Sequence, residues 1–600
     1  MLFYFKKINK IKKNLMSAKS NINVDAQNQF IDIDLNNVKA IFPNGDIKKY
    51  PKPLKVIELL NHQSLSSSDI IALMINGKIE SLNSKIKTGI AKINPIILNS
   101  YEGLQIYKST IIQILATVIH KLYSTKFHII VLHEVKNGFL IQKSNEESFN
   151  EDEICEIKKK INEIIKMDFP IQEINLSHDE ALNYFNSINH KFSVKLIESN
   201  NNDTIKCICI DKFITLFFKP LAKSTGIIKD FDFRLSSDNH NCLLLYSINE
   251  NNTIPKEINQ IETKNIIDNY LNSWKYSKLI NTQCVGDWNK IVISSPETLR
   301  EAILTMNMNQ ERDILSIADR ISEKVMEGKV KLIGIAGPSA SGKTTFSKKI
   351  GIALKSKGIE SIVICMDDYA KNRVDSPKDE NGKYDFECIE ALRIDEFNKD
   401  LLKLLKGEEI ERCVFDFISG TYSYLKNEKL KLPSKESNKI GVIICEGLHG
   451  INEKVTPLIP REEKYYIYIA PLTPIKFDEY NFFPDQILRL YRRIIRDFRN
   501  RGYNASKTLN SFFNVSKGED KYISPHIDKC DLIWNSSLDY EVSVLYPFVY
   551  PLLKTVNVSD PNYHFACYLM DAMNNFLPIS DEDIEKTALL REFIGGSTFE

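Results

Sequence analysis

Residues Gly337-Pro338-Ser339-Ala340-Ser341-Gly342-Lys343-Thr344-Thr345 form a complete G-x-x-x-x-G-K-T run. Its chemistry is the grip of a nucleoside triphosphate. Glycines let successive backbone N–H groups curl around the anion, a following helix adds the positive end of its dipole, and Lys343 reaches the outer phosphates. Thr344 supplies a hydroxyl to Mg²⁺. Further on, Asp367-Asp368-Tyr369 ends one apolar run and Glu446-Gly447 ends another. An acid of the first pair can take a proton from an attacking hydroxyl, and Glu446 stands where such sites keep a metal-orienting carboxylate. Arginine comes next. The first one in the chain is Arg234, yet Arg489, Arg492, Arg493, Arg496, Arg499 and Arg501 crowd one short segment. A planar guanidinium grips phosphate bidentately, so this segment suits a lid over a transferred phosphoryl group. The alternative is a solvated basic face or an RNA-contacting helix.

These groups need elements to hold them. Val330 to Ala336 reads as an apolar strand before the loop, and Phe346 to Lys357 as an amphipathic helix after it, ended by Gly358. Ser361 to Met366 is a strand that delivers Asp367, and Ile440 to Cys445 a buried strand that delivers Glu446. A parallel α/β sheet gathers ligands beyond the carboxyl ends of its strands, which brings the loop and the acids together. Arg489, Arg492, Arg496 and Arg499 recur at spacings of three and four and so share a helix face. Upstream, Ser295-Pro296-Glu297 starts a helical pattern that runs with interruptions to Glu327, closed by Gly328. Near the front, Val38 to Phe42, the turn Pro43-Asn44-Gly45-Asp46 and Ile47 to Tyr50 read as a hairpin. Val56 to Leu60 reads as a short helix, and Ile70 to Ile75 as a strand ended by Asn76-Gly77.

The chain has 600 residues, enough for roughly four units. With 43% hydrophobic and 26% charged residues it is neither disordered, collagen-like nor a coiled coil. Lys+Arg 79 against Asp+Glu 78 leaves a net charge of +1, so no global field draws it to nucleic acid or lipid. With no arginine before Arg234, a nucleic-acid partner is not expected. No apolar run approaches the roughly 18 residues of a membrane span, so a soluble chain without a membrane partner is expected. The 11 cysteines include no C-x-x-C pair, which points to reduced thiols in a cytoplasmic protein and away from zinc. Met1 to Lys19 is basic, with Phe5, Ile8, Ile11 and Leu15 at helical spacing but no arginine. We expect a solvated tail over 1–30, with mitochondrial targeting as the alternative.

Three stretches resemble known families. Residues 31–100 resemble the β-grasp TGS domain at the front of threonyl-tRNA synthetases. Residues 101–270 resemble the second domain of those enzymes, an α+β editing unit. The likeness rests on Leu104 to Tyr123, on Asp179-Glu180-Ala181 with Phe185, on Lys219-Pro220 and on Ser224-Thr225-Gly226-Ile227-Ile228-Lys229. That family holds an H-x-x-x-H and a C-x-x-x-H pair for hydrolytic editing. Here the matching positions are Ser109 and Gln113, then Phe217 and Leu221. Phe and Leu neither ligate a metal nor move a proton, so a scaffold or regulatory role is expected.

After a helical connector, 271–329, residues 330–556 resemble the uridine kinase and phosphoribulokinase family. More narrowly, they resemble long nucleoside kinases with a TGS and a synthetase-like domain in front. Besides the loop and Asp367-Asp368-Tyr369, the matching runs are Pro377 to Glu387, Glu446-Gly447-Leu448-His449-Gly450, Arg492-Arg493-Ile494-Ile495-Arg496-Asp497 and Gly518-Glu519. Arg591-Glu592-Phe593-Ile594-Gly595-Gly596-Ser597, within a helical extension over 557–600, also matches. The fold implied is α/β, a C-terminal P-loop NTPase of nucleoside kinase type with a parallel sheet, behind the two front domains. The activity implied is ATP- and Mg²⁺-dependent phosphorylation of the 5′-hydroxyl of uridine or cytidine, in pyrimidine salvage. Asp367 is then the general base, and Lys343, Arg492, Arg493 and Arg496 complete the catalytic set. Gly337 to Thr345 hold ATP, and Thr344 and Glu446 the metal. Tyr369 and Phe386 lie against the base, with Glu387 toward the ribose hydroxyls. Departures from the pattern are Gly420 at a base-reading histidine, Cys388-Ile389 for His-Pro, Arg393 for Asp, Asn481-Phe482-Phe483 for Asn-Arg-Ile, and Ile487 for an acid. They leave open another small sugar or nucleoside acceptor. An RNA-associated binding protein and a degenerate kinase kept for structure are the other rivals, and self-association is undecided.

Overall fold

The computed structural model describes residues 36–599 apart from 66–68, 125, 136–137, 201, 237–240, 250, 255–259, 379–381, 383 and 434–438. The basic start lies outside these residues, as does part of the run Pro377 to Glu387.

Strands β1 (Asn37–Ile41) and β2 (Ile47–Pro51) pair across the expected turn, where Gly45 takes φ +87°, a conformation glycine adopts without steric cost. With β3 (Ile70–Ile75), β4 (Lys78–Ser81) and β5 (Ile90–Ile97) they form a sheet in the order β2-β1-β5-β3-β4, β1 and β5 running parallel. The short helix after β2 is a 3-10 turn, Val56–Asn61.

Helix α1 (Tyr101–Tyr123) starts where the Ser100 hydroxyl accepts from the Gly103 N–H at 3.1 Å, and it is buried along most of its length. Around it lie β6 (Ile129–Val135), β7 (Gly138–Lys143), α2 (Glu151–Met167), β8 (Ile171–Ser177), α3 (His178–Ser187), α4 (Lys191–Glu198), β9 (Thr204–Ile210), β10 (Phe213–Leu216), β11 (Phe231–Leu235) and β12 (Cys242–Ser247). They make two antiparallel sheets, β10-β9-β8 and β11-β12-β7-β6.

Three helices follow: α5 (Gln260–Leu279), α6 (Val285–Ser294) and α7 (Pro296–Met326). The interruptions expected in α7 are absent. It runs unbroken for 31 residues, capped by Ser295 and stopped before Gly328 at φ +70°. These helices form a wedge rather than a tether. Trp288 is fully buried with Nε1 donating to Ser543 Oγ at 2.8 Å, and one apolar cluster joins Phe185, Trp288, the inner face of α7 and the C-terminal strands.

The C-terminal sheet is parallel, in the order β14-β17-β13-β18-β19, from β13 (Leu332–Ala336), β14 (Ile359–Cys365), β17 (Ile440–Gly447), β18 (Lys464–Ala470) and β19 (Leu532–Asn535). The hairpin β15 (Ile410–Asp416) and β16 (Thr421–Leu430) stands apart from it. Helices α8 (Lys343–Lys355), α9 (Ile394–Leu405), α10 (Asp485–Arg501), α11 (Ala505–Tyr522), α12 (Glu541–Leu553), α13 (Tyr563–Met573) and α14 (Arg591–Ile594) complete the fold. Between β18 and α10 the chain dips into the front block. Lys476, fully buried, donates to the Leu132 carbonyl and the Tyr270 hydroxyl. Glu479 accepts from Phe192 N at 2.7 Å and from Ser193 Oγ at 2.6 Å. His133 Nε2 lies 3.3 Å from Asp485 Oδ2, at the first residue of α10. Among the described residues no helix is long and apolar enough to cross a membrane.

Because Trp288 fills core shared by front and back, W288A should lower stability by about 3–5 kcal/mol, read as a shift of the denaturant midpoint. A midpoint within scatter of wild type would show that the wedge carries no such packing.

Candidate active site

Two glycines fix the loop. A Cβ on Gly337 would collide with the Ile469 carbonyl, and Gly342 caps α8 at φ +92°. Ala340 also takes a positive φ, 61°, so left-handed backbone recurs along the loop as an anion-binding nest needs. Lys343 folds back on the loop, Nζ donating to Gly337 O at 2.8 Å and Pro338 O at 3.1 Å. Ser341 Oγ is buried with no partner among the described residues. Thr344 Oγ1 donates to Glu446 Oε1 at 2.8 Å. This hydroxyl–carboxylate pair is a hard oxygen set of the kind Mg²⁺ takes, so the residues expected to hold the metal fit it chemically.

The two strand-end acids divide. Asp367 is exposed, and its charge is felt at Glu446 and His449 at the end of β17, at Glu387 and at Arg501, three other segments of the chain. Asp368 turns aside and accepts from Phe415 N at 3.0 Å, and burial pushes its carboxyl up to about 6. Glu446, 3% exposed, is pushed up to about 7 by burial, against the pull of Lys343 and Thr344, while Asp367 and Glu592 add to the rise.

Of the three residues assigned to the acceptor, one is misplaced. Tyr369 is buried, its ring against Phe397 and its hydroxyl donating to Asp400 Oδ2 at 2.9 Å, so it offers no face to a base. Phe386 is exposed and stacks on Tyr384. Glu387 is pushed up to about 7, first by burial, then by Glu519 and Asp367, with Arg493 and Lys343 opposing; its carbonyl meets His449 Nε2 at 2.9 Å.

The arginines of α10 do not share one task. Arg493 Nη1 and Arg496 Nη2 both donate to Ser339 Oγ, at 3.0 and 3.3 Å, and Arg489 Nε donates to Ser339 O at 3.1 Å. Asp497 lies beneath them. Burial would raise its carboxyl, but Arg496, Arg493 and Arg501 hold it below the ordinary range. Arg492, expected in the catalytic set, is a strut. It is fully buried and pairs with both oxygens of Glu541. Its remaining N–H groups go to Ala340 O, Ser536 Oγ and Ser536 O, so all five donors are taken.

Two site groups went unassigned in the sequence. Glu519 Oε1 accepts from Ser339 N at 2.9 Å and pairs with Arg489, and Glu592 Oε2 accepts from Thr345 N at 3.0 Å. Both sit in runs that carry the family likeness, Gly518-Glu519 and Arg591 to Ser597, and that was their only signal. In the front block the absent ligand set is filled in. Ser109 bonds its own helix, Gln113 accepts from Thr215 Oγ1 at 2.8 Å, and Phe217 and Leu221 pack with Ile171, Ile208 and Ile210.

Residues 332–543 match the family model described as the Phosphoribulokinase / Uridine kinase family. The C-terminal part is a P-loop kinase domain. The region before this kinase domain is similar to threonine–tRNA ligases. That of Syntrophotalea carbinolica is 27% identical over 196 residues, 32% of this chain and 31% of the ligase. That of Clostridium kluyveri is 30% identical over 196 residues, 32% of this chain and 30% of the ligase. The chain thus spans under a third of the length of these relatives. The solved structure of a "Possible Uridine Kinase" from Bacillus stearothermophilus is 20% identical, covers 37% of this chain and 98% of its own, and gives a TM-score of 0.24.

Two outcomes follow from this geometry. R492A leaves Glu541 buried and unpaired, and should cost about 3–5 kcal/mol in urea unfolding; a near-neutral change would return Arg492 to the lid. Glu446 has a folded-state pKa above its unfolded value, so its favourable contribution is present below about pH 4.5 and is lost as pH rises through about 7. E446Q cannot ionise, so without nucleotide it should gain roughly 2–3 kcal/mol on wild type between about pH 5 and about pH 8. A stability difference that stays flat with pH would contradict this.

Proposed function

We propose that this protein transfers the γ-phosphoryl group of ATP to the 5′-hydroxyl of a pyrimidine nucleoside, uridine or cytidine. The observation that carries the reading is convergence: Arg493 and Arg496 both donate to the loop residue Ser339, and the charge of the exposed Asp367 is felt at Glu446, which bonds Thr344 of the loop helix, and at Arg501 on the arginine helix. The loop amides and Lys343 hold the phosphates, and Asp367 accepts the proton of the attacking hydroxyl. Arg493 and Arg496 are set to neutralise charge on the transferred group, where positioning and electrostatics supply most of the rate. Thr344 and Glu446 would hold Mg²⁺, which when bound would supply charge neutralisation at the phosphates. Phe386 offers an aromatic face to the base and Glu387 a carboxylate to the ribose, while Tyr369 stays bonded to Asp400.

A second acceptor is favoured by one feature. Arg393 stacks over Tyr422 at 3.4 Å and donates to Tyr424 Oη under the β15–β16 hairpin, and Gly420 stands at the hairpin turn. A pocket that lacks the base-reading histidine loses discrimination, so another nucleoside or sugar would serve. The front sheet, read as TGS-like, and the synthetase-like block then act as scaffold or regulator.

Product analysis with ATP·Mg²⁺ and a nucleoside panel tests this. The 5′-monophosphate of uridine or cytidine is expected, and turnover of neither rejects the pyrimidine reading. D367N should retain ATP binding and lose about 10²–10⁴-fold in kcat, and R493A should lose turnover with the fold intact. K343A should abolish transfer; undiminished transfer would mean that the loop has no catalytic part.

A further inference from the structure

We propose that the C-terminal segment Ala588 to Phe599 is an internal ligand of the phosphate loop, which a nucleoside triphosphate must displace; this rests on the loop being the nucleotide site proposed above. Thr345 N–H is the third amide of α8, one of the first four in a helix that have no partner within it. Its acceptor is Glu592 Oε2 at 3.0 Å. A carboxylate oxygen at the positive end of this helix stands where the loop is built to receive a phosphate oxygen.

The contact is one of several. Leu589 Cδ2 lies 2.7 Å from where a Cβ on Gly342 would be, so the segment touches the loop on both sides of Lys343. The Phe593 carbonyl accepts from Arg499 Nη1 at 3.0 Å, its ring lies 5.0 Å from the Arg492 guanidinium, and the Phe599 carbonyl accepts from Lys348. Ala588, Leu589, Leu590, Phe593 and Ile594 are buried. The segment therefore joins the loop, helix α8 and the arginine helix α10 in one docked arrangement.

Electrostatics makes the two occupants exclusive. Glu592 already adds to the rise of the Glu446 carboxyl, so two acids face one loop, and a triphosphate would bring further negative charge against both. Glu446 shares its place with the Thr344 hydroxyl, an oxygen pair that a divalent cation can neutralise. The partner of Glu592 is an amide, the group a phosphate oxygen would claim. Entry of nucleotide then releases Glu592 and, with it, the bond between Arg499 and Phe593, which couples loop occupancy to the lid. A docked segment lowers apparent nucleotide affinity by the fraction of molecules in which it is undocked.

The test uses the full chain as wild type, E592Q and E592A. The dissociation constant for ATP·Mg²⁺ is measured by calorimetry. Amide hydrogen exchange of residues 588–599 is followed with and without saturating ATP·Mg²⁺. If the docked form outweighs the undocked one about tenfold, E592A should bind about tenfold tighter than wild type, with E592Q between them. In wild type the segment should exchange faster once nucleotide is bound. E592Q keeps an acceptor oxygen for Thr345 and so remains informative should E592A fail to fold. Equal or weaker binding by the variants, or a segment whose protection is unchanged or increased by nucleotide, overturns the proposal while leaving the nucleotide site in place. ATP binding by neither wild type nor the variants removes the nucleotide reading itself, and this inference with it.

Discussion

A loop of inward-turned amides flanked by arginines cannot be left electrically bare inside a protein, and the C-terminal half of this chain is arranged around that constraint. Ser339 N–H is met by Glu519 and Thr345 N–H by Glu592. The guanidinium groups have their own counter-charges, Asp497 beneath Arg493, Arg496 and Arg501, and Glu541 beneath Arg492. Four carboxylates thus offset the loop and its arginines, and each comes from a helix other than α8. Buried ion pairs of this kind add little net stability, but removing one partner is costly, so the set fixes geometry. Helices α10, α11, α12 and α14 are tied to the loop by charge as well as by packing.

The same constraint explains why neighbouring side chains of one type do different work. Arg492 and Arg493 are adjacent in sequence, yet one is sealed against Glu541 while the other reaches Ser339. Asp367 and Asp368 are adjacent too, and one is exposed while the other accepts from a hairpin amide. Arg492 and Asp368 each hold a neighbouring element in place, Arg492 the start of α12 and Asp368 the hairpin strand β15, and their neighbours Arg493 and Asp367 are left for the loop and for solvent.

How much of this could be read from sequence follows from the range of the interactions. The strand–loop–helix around Gly337 and the strands that deliver Asp367 and Glu446 are local patterns, and they stand where expected. The arginine helix was legible as a helix, but spacing fixes only angular position on the helix, not which neighbour lies opposite. The family motif puts Arg492 with Arg493 and Arg496 in the catalytic set, although the partner of Arg492 is Glu541, 49 residues away. Tyr369 was assigned to the acceptor because its place in the family pattern says nothing of its rotamer, and its hydroxyl points back to Asp400. The interruptions expected in α7 are absent, and polar residues within it, Asn307 and Gln310, face inward. Both are buried in the structure, and Asn307 accepts from the Tyr540 hydroxyl. Glu519 and Glu592 are marked in the sequence only by the runs Gly518-Glu519 and Arg591 to Ser597, which say nothing of the amides they meet.

The dip of the chain between β18 and α10 has a consequence for how the protein could be taken apart. Lys476 and Glu479 leave the C-terminal body and find their hydrogen bonds on Leu132, Tyr270, Phe192 and Ser193. Cutting the front block away would remove the partners of Lys476 and Glu479 and open both to water, immediately before the helix that bears the arginines. The half that holds the phosphate loop therefore borrows part of its interior from the front block, which gives the chain a structural reason to keep that block whatever chemistry the block performs.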